Sequence, residues 1–165
     1  MRSAEQVRWD FVQQWLGKAE QDLAAARMLF GSDLEYYEIV GFHAQQAAEK
    51  YVKAFLVCHQ VEFPKTHDLA RLRALVAQGD AELATALAPA DALTPYGVEF
   101  RYPGDLEKAS QEHGQEAVLL AEKAQSLILG SLKAYLDAGR PEAEKNKWTP
   151  ELGNLLTPEW SCTRR

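Results

Sequence analysis

Three stretches of this chain place apolar residues at intervals of three and four, and that spacing limits it to packed helices. In the first, Trp15, Leu16, Ala19, Leu23, Ala26 and Phe30 fall on one side of a helix expected from about Ala4 to Phe30. In the second, Ala44, Ala47, Ala48, Tyr51, Val52, Ala54 and Phe55 do the same, from Leu34 or Glu35 to His59. In the third, Ala117, Leu120, Ala121, Ala124, Leu127, Ile128, Ser131, Leu132 and Tyr135 mark the inner face of a helix from Leu106 or Ser110 to Leu136. No alternating pattern suggests a strand. Alanine and leucine dominate, and such side chains lose little rotamer freedom in a helix.

Punctuation fills in the remainder. Gly31-Ser32-Asp33 stops the first helix, and Pro64 interrupts the connector Val61–Thr66. A short helix is expected from His67 to Gln78, with Thr66 as its N-cap and Leu69, Leu72, Leu75 and Val76 inward. A broken helical region follows from Asp80 to about Phe100, cut by Pro89 and Pro95. Arg101-Tyr102-Pro103-Gly104-Asp105 reads as a turn or loop, and Gly139 closes the last helix. The fold expected is all-α, an up-and-down antiparallel bundle of four to five helices. It occupies residues 1–138, and residues 139–165 form a C-terminal tail, docked or flexible. The tail carries Pro141, Pro150 and Pro158 among charges, with Trp148, Leu152, Leu155, Leu156 and Trp160 as its apolar residues.

Composition removes several classes of function. The net charge of −6 disfavours a general binder of nucleic-acid backbones, although a local basic pocket is compatible with it. Cys58 and Cys162 form no disulfide framework, and His43, His59, His67 and His113 show no zinc spacing. No Gly-rich phosphate loop is present. The opening residues carry no signal peptide and no run is long enough to span a bilayer, so a cytoplasmic protein with no membrane contact, metal or cofactor is expected.

Three segments hold the residues that can carry chemistry. On the second helix His43, Gln46, Glu49, Lys50 and Lys53 share one arc. Two lysines one turn apart repel unless an anion is near; Glu49 supplies part of that compensation, and a phosphate-bearing ligand can supply more. The alternative is a solvated helix face. Thr66-His67-Asp68 stands at a helix start, where free N–H groups and an imidazole suit an anion, or where Thr66 and Asp68 simply cap. Arg101 offers a fork for phosphate and Tyr102 a ring for a base, unless Arg101 is a structural partner of a bundle carboxylate such as Asp22. Asp22 lies at the edge of an apolar stripe, as a solvated rim residue or as partner to a cation on the next helix.

Taken in order, these segments resemble a HEPN domain. The residues that carry the likeness are Trp15-Leu16 with Ala19 and Asp22-Leu23; Phe42-His43-Ala44-Gln45-Gln46-Ala47-Ala48-Glu49-Lys50 with Lys53-Ala54; Lys65-Thr66-His67-Asp68-Leu69; and Arg101-Tyr102-Pro103-Gly104. The resemblance spans about residues 10–137. It implies a helical bundle, often a homodimer, with a polar groove for nucleotides, and frequent pairing with a minimal nucleotidyltransferase protein in toxin–antitoxin-like operons. Carried onto this chain, the ligand-binding candidates are Gln46, Lys50, Lys53, Thr66, His67, Arg101 and Tyr102, with Asp22 and Glu49 in support. Many relatives are ribonucleases whose arginine is followed four to six residues later by histidine. Here those positions hold Asp105, Leu106 and Glu107, and the next histidine is His113. The expectation is therefore a module that binds a nucleotide or a partner, with no catalytic residue assigned and RNA the less favoured ligand. The alternatives are a metal-independent endoribonuclease toxin with a non-standard site using His67 or His113 with Arg101, and a purely structural dimerisation protein.

Overall fold

The fold was obtained as a computed structural model, which describes residues 2–101 and 108–142. The side chain of Arg101, all of Tyr102, the rest of the Pro-Gly turn and the tail from residue 143 lie outside the described residues.

Three long helices form the body, as the periodicity predicts: α1 (Ala4–Phe30), α2 (Tyr37–Cys58) and α6 (Gln111–Ala138). Between α2 and α6 run α3 (Leu69–Val76), α4 (Ala81–Leu87), a 3₁₀ turn (Ala88–Leu93), α5 (Thr94–Val98) and a second 3₁₀ turn (Glu99–Arg101). No strand occurs among the described residues. The short 31–36 connector turns α2 back along α1, which gives the antiparallel order. The central element is α2: it packs against α1 most extensively, then α6, and also meets α3, α5 and both 3₁₀ turns. Its alanines Ala44, Ala47, Ala48 and Ala54 are fully buried, facing a core with Ala19, Ala26, Ala121 and Ala124. Small residues on each helix let the axes approach closely.

Several boundaries differ from the expectation, each for a local reason. Ser3 and Gln6 form a capping box that starts α1 at Ala4, as predicted. Helix α2 begins at Tyr37 and not at Leu34 or Glu35, because Ser32 donates to the carbonyl of Leu29 and accepts from Leu34, holding the turn out of helix. The N-cap of α3 is Asp68 and not Thr66. Its Oδ1 accepts from the Arg71 amide at 3.1 Å, while Thr66 Oγ1 accepts from the Asp68 amide at 3.1 Å. An Asp one residue before the apolar run caps it better than a Thr three residues before. Pro89 and Pro95 stand in the first turns of the segments they begin, where a missing N–H costs nothing. Ser110 and His113 form a capping box at the start of α6, and Gly139, with φ of 74°, ends it.

Candidate functional site

The arc on α2 is not a solvated face. Gln45 is fully buried, Glu49 is 3% exposed and Lys53 is 7% exposed. Trp15 of α1, Phe63 and His67 of the α2–α3 connector, and the backbone of α5 close over them. Gly97 of α5 presses so near that a Cβ there would lie 2.8 Å from Gln45 Cδ. Helical spacing then sets up two ladders along α2. Residues 45, 49 and 53 repeat at four, and residues 43, 46 and 50 run beside them.

At the centre of the inner ladder, Lys53 Nζ donates to Glu49 Oε1 at 2.6 Å and to the Thr66 carbonyl at 3.3 Å. The ammonium also lies 5.5 Å from the Trp15 ring centroid and 5.6 Å from that of Phe63, within cation–π range. Gln45 Nε2 donates to Glu49 Oε2 at 2.8 Å and to the His67 carbonyl at 3.1 Å. His67 Nδ1 stands 3.0 Å from the same Glu49 oxygen. Since an ionised carboxylate only accepts, Nδ1 carries the hydrogen. The outer ladder repeats this arrangement. Lys50 Nζ binds Asp22 Oδ2 and, at 3.1 Å, Gln46 Oε1. His43 Nδ1 stands 3.0 Å from Asp22 Oδ1. Gln46 Nε2 donates to Gln45 Oε1 at 2.8 Å and joins the two halves.

Electrostatically the assembly is two lysines balanced by two carboxylates. Burial alone would raise the Glu49 pKa, but hydrogen bonds from Lys53, Gln45 and His67 outweigh it and hold the carboxyl below its ordinary value. Each carboxylate also fixes one imidazole by its Nδ1. In both rings this leaves Nε2 as an acceptor, or as a second donor once protonated. His67 is the most open member, its side chain 51% exposed. The network is thus a prebuilt polar seam between α1, α2 and the α2–α3 connector, with His43, Gln46, Lys50 and His67 at its rim.

Of the residues singled out in the sequence, this seam brings together Asp22, Gln46, Glu49, Lys50, Lys53 and His67, with Thr66 through its carbonyl. The repulsion foreseen between Lys50 and Lys53 is relieved within the protein, by Asp22 for one and Glu49 for the other. Asp22 is the cation partner on a neighbouring helix and not a solvated rim residue. The Arg101 backbone lies in the last 3₁₀ turn, and its side chain and Tyr102 fall outside the described residues. His113 caps α6, its Nδ1 accepting from the Ser110 amide at 3.1 Å. Two members of the seam, His43 and Gln45, are not among the ligand-binding candidates drawn from sequence. The 45–49–53 spacing was the signal for Gln45, obscured because it sits at the edge of the alanine face.

The family model described as HEPN domain matches residues 12–130, a span that contains α1 from its third turn through most of α6. The chain belongs to the HEPN domain family. Two solved structures share its architecture. An archaeal HEPN homologue, ST0689, is 25% identical, with a TM-score of 0.57 over 73% of this chain and 97% of that one. TT1696 from Thermus thermophilus is 22% identical, with a TM-score of 0.60 over 73% of this chain and 98% of the other, a likeness of fold. No curated protein matches the sequence. The seam of this HEPN domain is built from the same segments that carry the sequence resemblance, Asp22, Phe42–Lys53 and Lys65–Leu69. Among the described residues no group of three or more His, Cys, Asp or Glu side chains is arranged to hold a metal ion, and no helix is long and apolar enough to cross a membrane.

Proposed function

We propose that this HEPN protein is a binding module that takes a phosphate-bearing ligand of the nucleotide class at the rim of the α1–α2 seam. We propose further that it acts as a homodimer with a minimal nucleotidyltransferase protein, in a toxin–antitoxin-like pair. The observation that carries the ligand reading is the rim itself. His67 and His43 are each oriented by a carboxylate, and Lys50 and Gln46 stand between them on fixed partners. Groups held this way lose little freedom when a ligand arrives. Asp22 and Glu49 already balance the two lysines within the protein. The pairing with a nucleotidyltransferase is supported by the family resemblance, which is an analogy of fold and motif.

A binding role is favoured over RNA cleavage because no histidine follows Arg101 at the spacing of the family's nucleases, and His113 is engaged in the α6 cap. Isothermal titration of the intact protein with a panel of mono-, di- and triphosphate nucleotides tests the ligand half. Measurable binding is expected, weakened roughly tenfold, or about 1.4 kcal/mol, by His67→Ala. An absence of heat at about millimolar ligand, near the weakest affinity worth the name, would remove it. Co-purification with a minimal nucleotidyltransferase from the same genome tests the partner half; a stable complex is expected, and its absence would remove the pairing. Unchanged tRNA and mRNA after incubation, at the rate of an Arg101→Ala control, is expected for a protein that does not cleave RNA.

A further inference from the structure

The outer face of α1 carries exposed apolar side chains near its start. Val7 and Phe11 are exposed, Phe11 by 51%. One turn on, Phe11, Gln14, Trp15 and Lys18 border an open hollow of about 180 Å³. Elsewhere on the chain, Arg140 forms a two-pronged ion pair with Asp10, Nε to Oδ1 at 2.9 Å and Nη2 to Oδ2 at 3.0 Å. The buried Gln6 donates from Nε2 to the carbonyl of Pro141 at 3.0 Å. The chain therefore leaves the bundle pinned against the first turns of α1, on the flank beside Val7 and Phe11. It continues as residues 143–165, whose apolar members include Trp148, Leu152, Leu155, Leu156 and Trp160.

We propose that this C-terminal segment lies across the outer face of α1, with side chains from Trp148 onward seated in the hollow between Phe11 and Trp15. The reach is sufficient. Glu142 to Trp148 spans up to roughly 20 Å of extended chain, whereas Gln6 to Trp15 is roughly 14 Å along the helix. The chemistry matches as well: an apolar hollow bordered by Lys18 suits the tryptophans and leucines of residues 148–160, a stretch whose only charges are Glu151 and Glu159. Because the Trp15 ring also packs against Lys53, the seated tail adjoins the polar seam.

Photo-crosslinking of the full chain with p-benzoylphenylalanine in place of the exposed Gln14 tests this directly. The expected product is an intrachain link to residues 148–160, lost when Phe11→Ser is added. A link between two copies, which would make a second molecule the occupant, overturns the proposal; so does the absence of any link. Amide hydrogen exchange on the unmodified protein provides a second readout. Residues 148–160 should exchange at least tenfold more slowly than in a free peptide, and Phe11→Ser should abolish that protection. Exchange at the free-peptide rate in the unmodified protein overturns the proposal whatever the crosslinking gives.

Discussion

Glu49 holds three donors at once, from Lys53, Gln45 and His67, in a place with almost no water. Removing one member of a buried pair leaves the other charge without compensation, at a cost of about 3–5 kcal/mol. Glu49→Ala should therefore lose about that much stability in urea denaturation, whereas Glu49→Leu with Lys53→Met, which removes both charges at similar volume, should recover most of it. The depressed pKa also has a pH signature. A carboxyl that is more acidic folded than unfolded contributes stability above its unfolded value, and this is lost as pH falls through the folded one. Glu49 binds fewer protons folded than unfolded, so the urea midpoint should drop as pH is lowered below the ordinary carboxyl value of 4.5. Glu49→Gln should flatten that slope. Its neighbour Tyr51 shows the opposite shift: burial, then the hydrogen bond to Glu20, raises the phenol pKa, so it stays protonated as a donor.

Helix α5 is only a turn long, yet it decides whether the seam closes. It approaches through Gly97, which has Gln45 beneath it, and through Tyr96, whose ring lies where a Cβ on Gly41 would stand 2.2 Å away. Gly97→Ala should push Gln45 off its partners and cost about 1–3 kcal/mol, as overpacking of a filled interior does. The diagnostic reading is faster amide exchange in both α5 and the 63–68 connector, since Gln45 also holds the carbonyl of His67. The capping of α3 gives an independent check. Asp68→Ala should cost about 1 kcal/mol in thermal or urea melts, and Thr66→Ala clearly less, because the carboxylate and not the hydroxyl satisfies the first turn.

Across the whole molecule, α1, α2 and α6 pack through alanines, and one polar bolt ties all three. Tyr51 of α2 donates to Glu20 of α1 at 2.6 Å and accepts from Gln125 of α6 at 2.9 Å. Ala48, on α2, is fully buried within the alanine-lined core. Ala48→Leu should lower stability by about 1–3 kcal/mol and displace the helices against each other, visible as shifted near-ultraviolet signals from the buried tyrosine.

The long helices were legible because their burial is periodic: Ala19, Leu23 and Ala26, or Ala117, Ala121, Ala124 and Ile128, write a packed face directly into the order of residues. So were most of the charged members of the seam, since residues three and four apart share a side of a helix whatever surrounds it. The order of residues alone is therefore enough for the helical class, the approximate extent of the three long elements and the common side of Gln46, Glu49, Lys50 and Lys53. That this side is buried emerges only from the packed molecule. The lids over it, Trp15, Phe63, His67 and Gly97, come from places distant in the chain, and Lys53 is countered by Glu49 whereas Lys50 is countered by Asp22 on another helix. Spacing along a helix says which side chains are neighbours on it; desolvation and the choice of counter-charge depend on what packs against it.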